Sequence, residues 1–145
     1  MKFNTNINIK ATKDEIFKKL TDRENMSKWM KGFQSYELLK GKDLEVGSEG
    51  VILLNIAGKK IEMKETILEN NLPHSFKSMY EADGVTNFVT NHFEDIENGE
   101  TLWEQELDFR FKSLAVKMFS SLVVSLFKKL SKSILTDFKK IVETK

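Results

Sequence analysis

The chain has 145 residues, 40% of them apolar and 31% charged, with one proline, no cysteine and a formal net charge of +1. This is the size and balance of a single domain over residues 1–145, and such a chain buries roughly 68 to 70% of the surface its unfolded form exposes, enough for a core without disulfides or structural metal. The lack of cysteine excludes a disulfide scaffold, a thiolate nucleophile and cysteine-based zinc modules, and makes the cytoplasm the default location.

Residues 4–10 alternate polar and apolar, with Phe3, Ile7 and Ile9 on one side, the period of a half-buried strand rather than of a secretory signal. Thr12 stands three residues before Glu15, a capping box that opens a helix with Ile16, Phe17 and Leu20 on its inner stripe. Asp22 caps a second short helix through Met26, Trp29 and Met30, which ends near Gly32. From residue 33 to 111 the pattern becomes apolar and polar alternation, broken by Gly41, Gly47, Gly58, Asp83-Gly84 and Asn98-Gly99, with Pro73 before another run. It predicts six consecutive antiparallel strands over 33–40, 48–57, 60–70, 74–81, 85–97 and 100–112. Asp-Gly and Asn-Gly supply the positive φ angles of two-residue hairpin turns.

Residues 113–142 contain neither Gly nor Pro and place Val116, Phe119, Val123, Phe127, Leu130, Ile134, Phe138 and Ile141 at spacings of three and four, an amphipathic helix. Thirty residues at about 1.5 Å rise span about 45 Å, the width of a sheet in a domain of this size. Its most apolar stretch, 114–127, contains Lys117 and falls short of the roughly 20 apolar residues of a bilayer span.

This element order, together with the stretch IKATKDEIFKKLTDRENMSKWMKGFQSYELLKG over residues 9–41, resembles the helix-grip (START-like, SRPBCC) superfamily in its polyketide cyclase/dehydratase-like branch. The resemblance implies an α+β fold: a curved seven-stranded antiparallel sheet, in the order β-α-α-β6-α, wrapped on a long C-terminal helix. It further implies an apolar cavity between sheet and helix for a lipid-, sterol- or polyketide-like molecule, with no cofactor. A sheet and helix of this kind can equally be filled by their own side chains, as interiors normally are.

Reading Asn98-Gly99 as a two-residue loop pairs Thr86, Phe88, Thr90, His92 and Glu94 with Phe111, Phe109, Leu107, Gln105 and Trp103 on one face. The large apolar members turn that face inward. The expected ligand-binding wall is therefore Phe88, Trp103, Leu107 and Phe109 against Val123, Phe127 and Leu130 of the last helix. His92 and Gln105 stand at the polar end, either orienting a ligand or bonding each other. The same arithmetic through Asp83-Gly84 puts Lys77 and Met79 inward and Phe76 and Tyr80 outward, an awkward chemistry that leaves the inward face of 74–81 open.

Glu65 shares a strand face with Ile61 and Met63, which places it either in the cavity, where burial would raise its pKa, or at the sheet rim. Trp29 is a cavity gate or a packing anchor. The two histidines, His74 and His92, lie 18 positions apart on different strands, and no metal site is expected. There is no Gly-rich phosphate loop, Gly-x-Ser-x-Gly elbow or histidine-glutamate zinc motif.

Residues 110–145 carry nine Lys/Arg against two Asp/Glu, a local +7 that leaves −6 for the rest. Either this is a solvated helix face, or Lys112, Lys117, Lys128, Lys129 and Lys132 flank the off-stripe Leu114, Met118 and Leu122 in contact with an anionic membrane or an acidic protein. Nucleic acid is not expected, because the basic excess comes without an aromatic-studded basic sheet. The expectation is a monomer or weak dimer that binds or carries a small hydrophobic molecule without catalysis. The alternatives are a cyclase or dehydratase using His92 or Glu65, and a membrane or protein interaction module.

Overall fold

The computed structural model describes residues 1–144 and, within the last helix, all side chains but those of Phe119, Ser120 and Val123. The elements run β1 (Lys2–Ile9), α1 (Lys13–Leu20), a 3-10 turn (Arg23–Asn25), α2 (Met26–Trp29), β2 (Phe33–Lys40), β3 (Glu49–Ile56), β4 (Lys59–Asn71), β5 (Ser75–Ala82), β6 (Val85–Ile96), β7 (Glu100–Phe111) and α3 (Leu114–Glu143). All neighbours in the single sheet are antiparallel, in the order β1-β7-β6-β5-β4-β3-β2. This is the seven-stranded helix-grip architecture.

Local chemistry explains the element ends. Thr12 accepts from the Glu15 amide while the Glu15 carboxylate accepts from the Thr12 amide, closing the capping box of α1. Asp22 caps the 3-10 turn by accepting from the Glu24 amide, and Ser113 caps α3 by accepting from the Val116 amide. Register shifts interrupt the ladder at Phe33/Ser35, Leu38/Lys40 and Ile67/Glu69, and irregularities of this kind bend the strands that carry them.

One hairpin differs from the sequence expectation. Ile96, not Glu97, pairs with Glu100, so the β6–β7 connection is a three-residue turn of Glu97, Asn98 and Gly99, with Asn98 at φ 64° and Gly99 at φ 72°. A one-residue shift exchanges the faces of a strand. Val85, Asn87, Val89, Asn91 and Phe93 therefore face inward, opposite Phe111, Phe109, Leu107, Gln105 and Trp103. His92 is exposed on the outer face, where Phe88 lies half-buried beneath the Arg110 guanidinium. The Asp83-Gly84 turn does have two residues, with Ala82 paired to Val85, so the same correction turns Phe76, Ser78, Tyr80 and Ala82 inward.

α3 packs most deeply through Val124, Ser131, Leu135, Phe138 and Val142, with Phe127, Leu130, Ile134 and Ile141 partly buried beside them. Its C-terminal half closes on an aromatic cluster in which Phe138 meets Trp29 at 5.5 Å and Trp103 at 5.3 Å, and Trp103 meets Phe93 at 5.4 Å. Toward its N-terminal end the core is smaller, built on Val85, Val89, Leu107, Phe109 and Val124. Leu114, Met118 and Leu122 point away from it and are 76 to 78% exposed.

Candidate functional site

Between these two clusters lies a cavity of about 120 Å³, walled by the inner sheet face, by Met26, Trp29 and Met30 of the short helices, and by Phe127, Leu130, Ser131 and Ile134 of α3. Pockets for drug-sized ligands usually measure roughly 300 to 1,000 Å³. An apolar void of about 150 Å³ takes a benzene ring, which sets the scale here at about one ring.

A polar row crosses the inner sheet face. Strand register places Gly50, Glu65, Tyr80, Asn87 and Phe109 side by side on β3 to β7. Glu65 is 4% exposed, and Arg23 reaches it from the 3-10 turn, with Nη2 donating to Oε1 at 2.7 Å. Arg23 also donates to both oxygens of Asp43, from Nε at 3.0 Å and from Nη2 at 2.9 Å. Tyr80 donates to the second Glu65 oxygen at 2.9 Å, and Tyr36 to Asp43 at 3.2 Å. The guanidinium stacks 4.0 Å from the centre of the Tyr36 ring. A Cβ on Gly50 would come within 2.5 Å of that ring, so the missing side chain is what lets Tyr36 lie there. One cation bridging two carboxylates leaves the cluster with net charge −1.

The titration behaviour follows from this packing. Burial pushes the Tyr36 hydroxyl up to about 12, and burial followed by the Glu65 charge holds Tyr80 well above its ordinary value, so both are neutral donors. Burial raises the Asp43 carboxyl, but the Arg23 guanidinium outweighs it and the net direction is down. Burial alone would lower Arg23, and the two carboxylates reverse this, leaving it firmly protonated.

A second polar group sits nearer the aromatic cluster. Asn91 Oδ1 accepts from Trp103 Nε1 at 2.8 Å and Gln105 Nε2 at 3.0 Å, and Ser131 donates to Gln105 Oε1. Gln105 thus meets Asn91 and Ser131 rather than the predicted His92. Two buried cavity-lining atoms are unsatisfied: Asn87 Oδ1 and Trp29 Nε1 have no hydrogen-bond partner among the described residues.

Of the predicted wall, Trp103, Gln105, Leu107, Phe127 and Leu130 line the cavity, while Phe109 is buried beside it and packs on Phe127 at 5.8 Å. Phe88 and His92 lie across the sheet from it, and the Val123 side chain falls outside the described residues. Trp29 is 5% exposed and packs against Phe138. His74 is exposed, with Lys13 Nζ 3.2 Å from its Nδ1. Among the lysines, Lys117, Lys129 and Lys132 are exposed, and Lys128 lies 3.8 Å over the Phe3 ring.

Sequence reading missed Arg23, Asp43, Tyr36, Tyr80, Asn87 and Asn91. One signal pointed to Arg23: it is one of two arginines among 23 basic residues, and only arginine offers a planar fork for two carboxylates.

Among the described residues no helix is long and apolar enough to cross a membrane, and no group of three His, Asp or Glu side chains could hold a metal. A family model described as "Polyketide cyclase / dehydrase and lipid transport" matches residues 1–143. No curated protein matches the chain. Solved structures do. Ara h 8.0201 is 15% identical with a TM-score of 0.83, over 100% of this chain and 99% of that one. The Zhui aromatase/cyclase from Streptomyces sp. R1128 is 11% identical with a TM-score of 0.83, over 99% and 93%. A START superfamily protein from Mycobacterium smegmatis is 14% identical with a TM-score of 0.72, over 97% and 98%. At these identities the likeness is one of fold.

Proposed function

The chain belongs to the polyketide cyclase/dehydrase and lipid transport family, and from that premise we propose that it is a non-catalytic binding or carrier domain for a small, largely apolar molecule held between sheet and α3. The observation that carries this reading is the cavity itself, apolar over most of its wall and crossed by a polar row whose charged members are already tied to one another. An enzyme of the cyclase type would need a free acid or base at the ligand. His92 lies on the opposite face of the sheet, and the Glu65 carboxylate is engaged by Arg23 and Tyr80. A carrier of this kind works in the cytoplasm as a monomer or weak dimer.

Native mass spectrometry of the purified protein, compared with its denatured mass, tests the reading, together with titration of toluene, a one-ring probe on the scale of the cavity, followed by the fluorescence of the wall residues Trp29 and Trp103. Excess mass or saturable toluene uptake is expected, and Val89→Phe, which fills the cavity from β6, should remove it. Neither excess mass nor uptake in the unsubstituted protein would overturn the carrier reading.

A second role is favoured by one specific observation. Leu114, Met118 and Leu122 are each more than three-quarters exposed and share the helix with exposed Lys117, Lys129 and Lys132. We propose that this end of α3 touches an anionic membrane while the ligand is collected or delivered. Binding to phosphatidylserine vesicles that weakens with added salt is expected; equal binding to neutral vesicles would count against it.

A further inference from the structure

The cavity wall has a sign and a vacancy in its hydrogen bonding, and together they narrow the ligand. Arg23 and Glu65 both line the cavity, and Arg23 is shared between Glu65 and Asp43, so the cation on the wall is already outnumbered by carboxylates. A ligand carboxylate or phosphate would enter against a net negative cluster and find its natural partner taken. Asn87, in contrast, is 5% exposed, stands beside Tyr80 in the polar row, and has its Oδ1 unsatisfied among the described residues. Leaving a buried amide oxygen unpaired is costly, and a guest that pairs with it recovers that cost. Trp29 Nε1, also on the wall, presents an unsatisfied donor.

We propose that the cavity selects an uncharged molecule of about one ring that carries a hydroxyl group, with Asn87 as the residue that recognises the hydroxyl. A hydroxyl donates and accepts, so it serves the Asn87 amide in either orientation, and the same group suits the indole N–H where a guest reaches Trp29. A purely apolar guest leaves Asn87 unpaired, and an anionic one opposes the Glu65 and Asp43 charges. The inference rests on the carrier reading above and adds the chemical class of its cargo.

Three probes that share one methylbenzene ring separate the possibilities: 4-methylphenol, toluene and 4-methylbenzoate, titrated into the full chain and followed by amide and indole N–H chemical shifts. The expected order is 4-methylphenol tighter than toluene by about tenfold, the factor one recovered buried hydrogen bond supplies, with 4-methylbenzoate weakest. In Asn87→Leu the 4-methylphenol and toluene affinities should converge to within about twofold; Asn87→Ala gives the same comparison if the leucine variant does not fold. Toluene and 4-methylphenol binding equally well to the unsubstituted protein, or a preference that survives both substitutions, would overturn the role of Asn87 while leaving the cavity reading intact. Tightest binding by 4-methylbenzoate would overturn the assigned charge preference. Failure of all three probes to bind would overturn the assigned ligand class, and together with no excess mass in the native spectrum it would overturn the carrier reading as well.

Discussion

The two halves of α3 separate apolar content from burial: residues 114–128 hold ten apolar residues and residues 129–143 six, yet the second half is the one that packs more deeply. From Ser131 onward the helix lies against Trp29, Trp103 and Ile9, and Phe138 is fully buried between two indole rings. Before Phe127 it sends only part of one face to the sheet and leaves Leu114, Met118 and Leu122 in water. Burial of an apolar side chain contributes roughly 1.5 to 3 kcal/mol, so the second half anchors the fold and the first half contributes little to it. The exposure of Leu114, Met118 and Leu122 among lysines is what supports the membrane contact proposed for this half.

Substitutions that separate these two roles should differ widely in size. Phe138→Ala empties the aromatic cluster and is expected to cost about 3 to 5 kcal/mol in chemical denaturation; a loss under 1 kcal/mol would mean that the second half does not anchor the fold. Arg23→Met leaves Glu65 buried without its cation and should cost about 3 kcal/mol at neutral pH, the lower end of the range for a broken buried pair because Arg23 is partly exposed. Arg23→Lys should recover only part of this, since an ammonium cannot bond both carboxylates in the same plane.

The same cluster predicts an acid limb. Asp43 is held below its ordinary carboxylate value in the folded chain, so its contribution is present above that value and is lost as pH falls through the lowered one. Stability measured from pH 6 downward should fall below about pH 4, and the fall should be shallower in Asp43→Asn; an identical slope in the two proteins would show that Asp43 does not contribute. The smallest effect on folding is expected for Leu122→Ser, within about 0.5 kcal/mol. Yet this change should reduce binding to phosphatidylserine vesicles severalfold. Unchanged vesicle binding would remove the first half of α3 from the proposed membrane contact.

Most of the architecture was legible because strand and helix periods differ and the chain keeps each one cleanly. The capping box at Thr12 and the Gly- and Pro-free run after Ser113 marked the helices, and the alternation between residues 33 and 111 marked the meander. The site was harder to read, for a reason confined to one residue. Asn98 and Gly99 both take positive φ, as the two-residue reading required, but Glu97 joins the turn and reverses every side chain of β6. The strand's own composition held the answer. Val85, Val89 and Phe93 share one face with no charged neighbour above Asp95, whereas the face of Phe88 also carries His92 and Glu94. Once that face is taken as inward, the conflict at Lys77 and Met79 disappears, because Phe76 and Tyr80 then point into the core. Of the Arg23 cluster only the rarity of the arginine was legible: its carboxylates lie 20 and 42 positions away along the chain, and only the fold brings them together.

Gly50 gives the cavity an unusual form of remote control. It touches no guest, yet a single methyl group there would collide with the Tyr36 ring. Tyr36 both bonds Asp43 and lies under Arg23, so displacing it would take one donor from Asp43 and the stacked ring from Arg23, leaving the guanidinium and its two carboxylates less firmly held. The order of the charged cluster is thus governed from a position with no side chain. Variation at Gly50 would be a short route by which a scaffold of this shape could loosen the charged wall of its cavity without altering any residue that faces the guest.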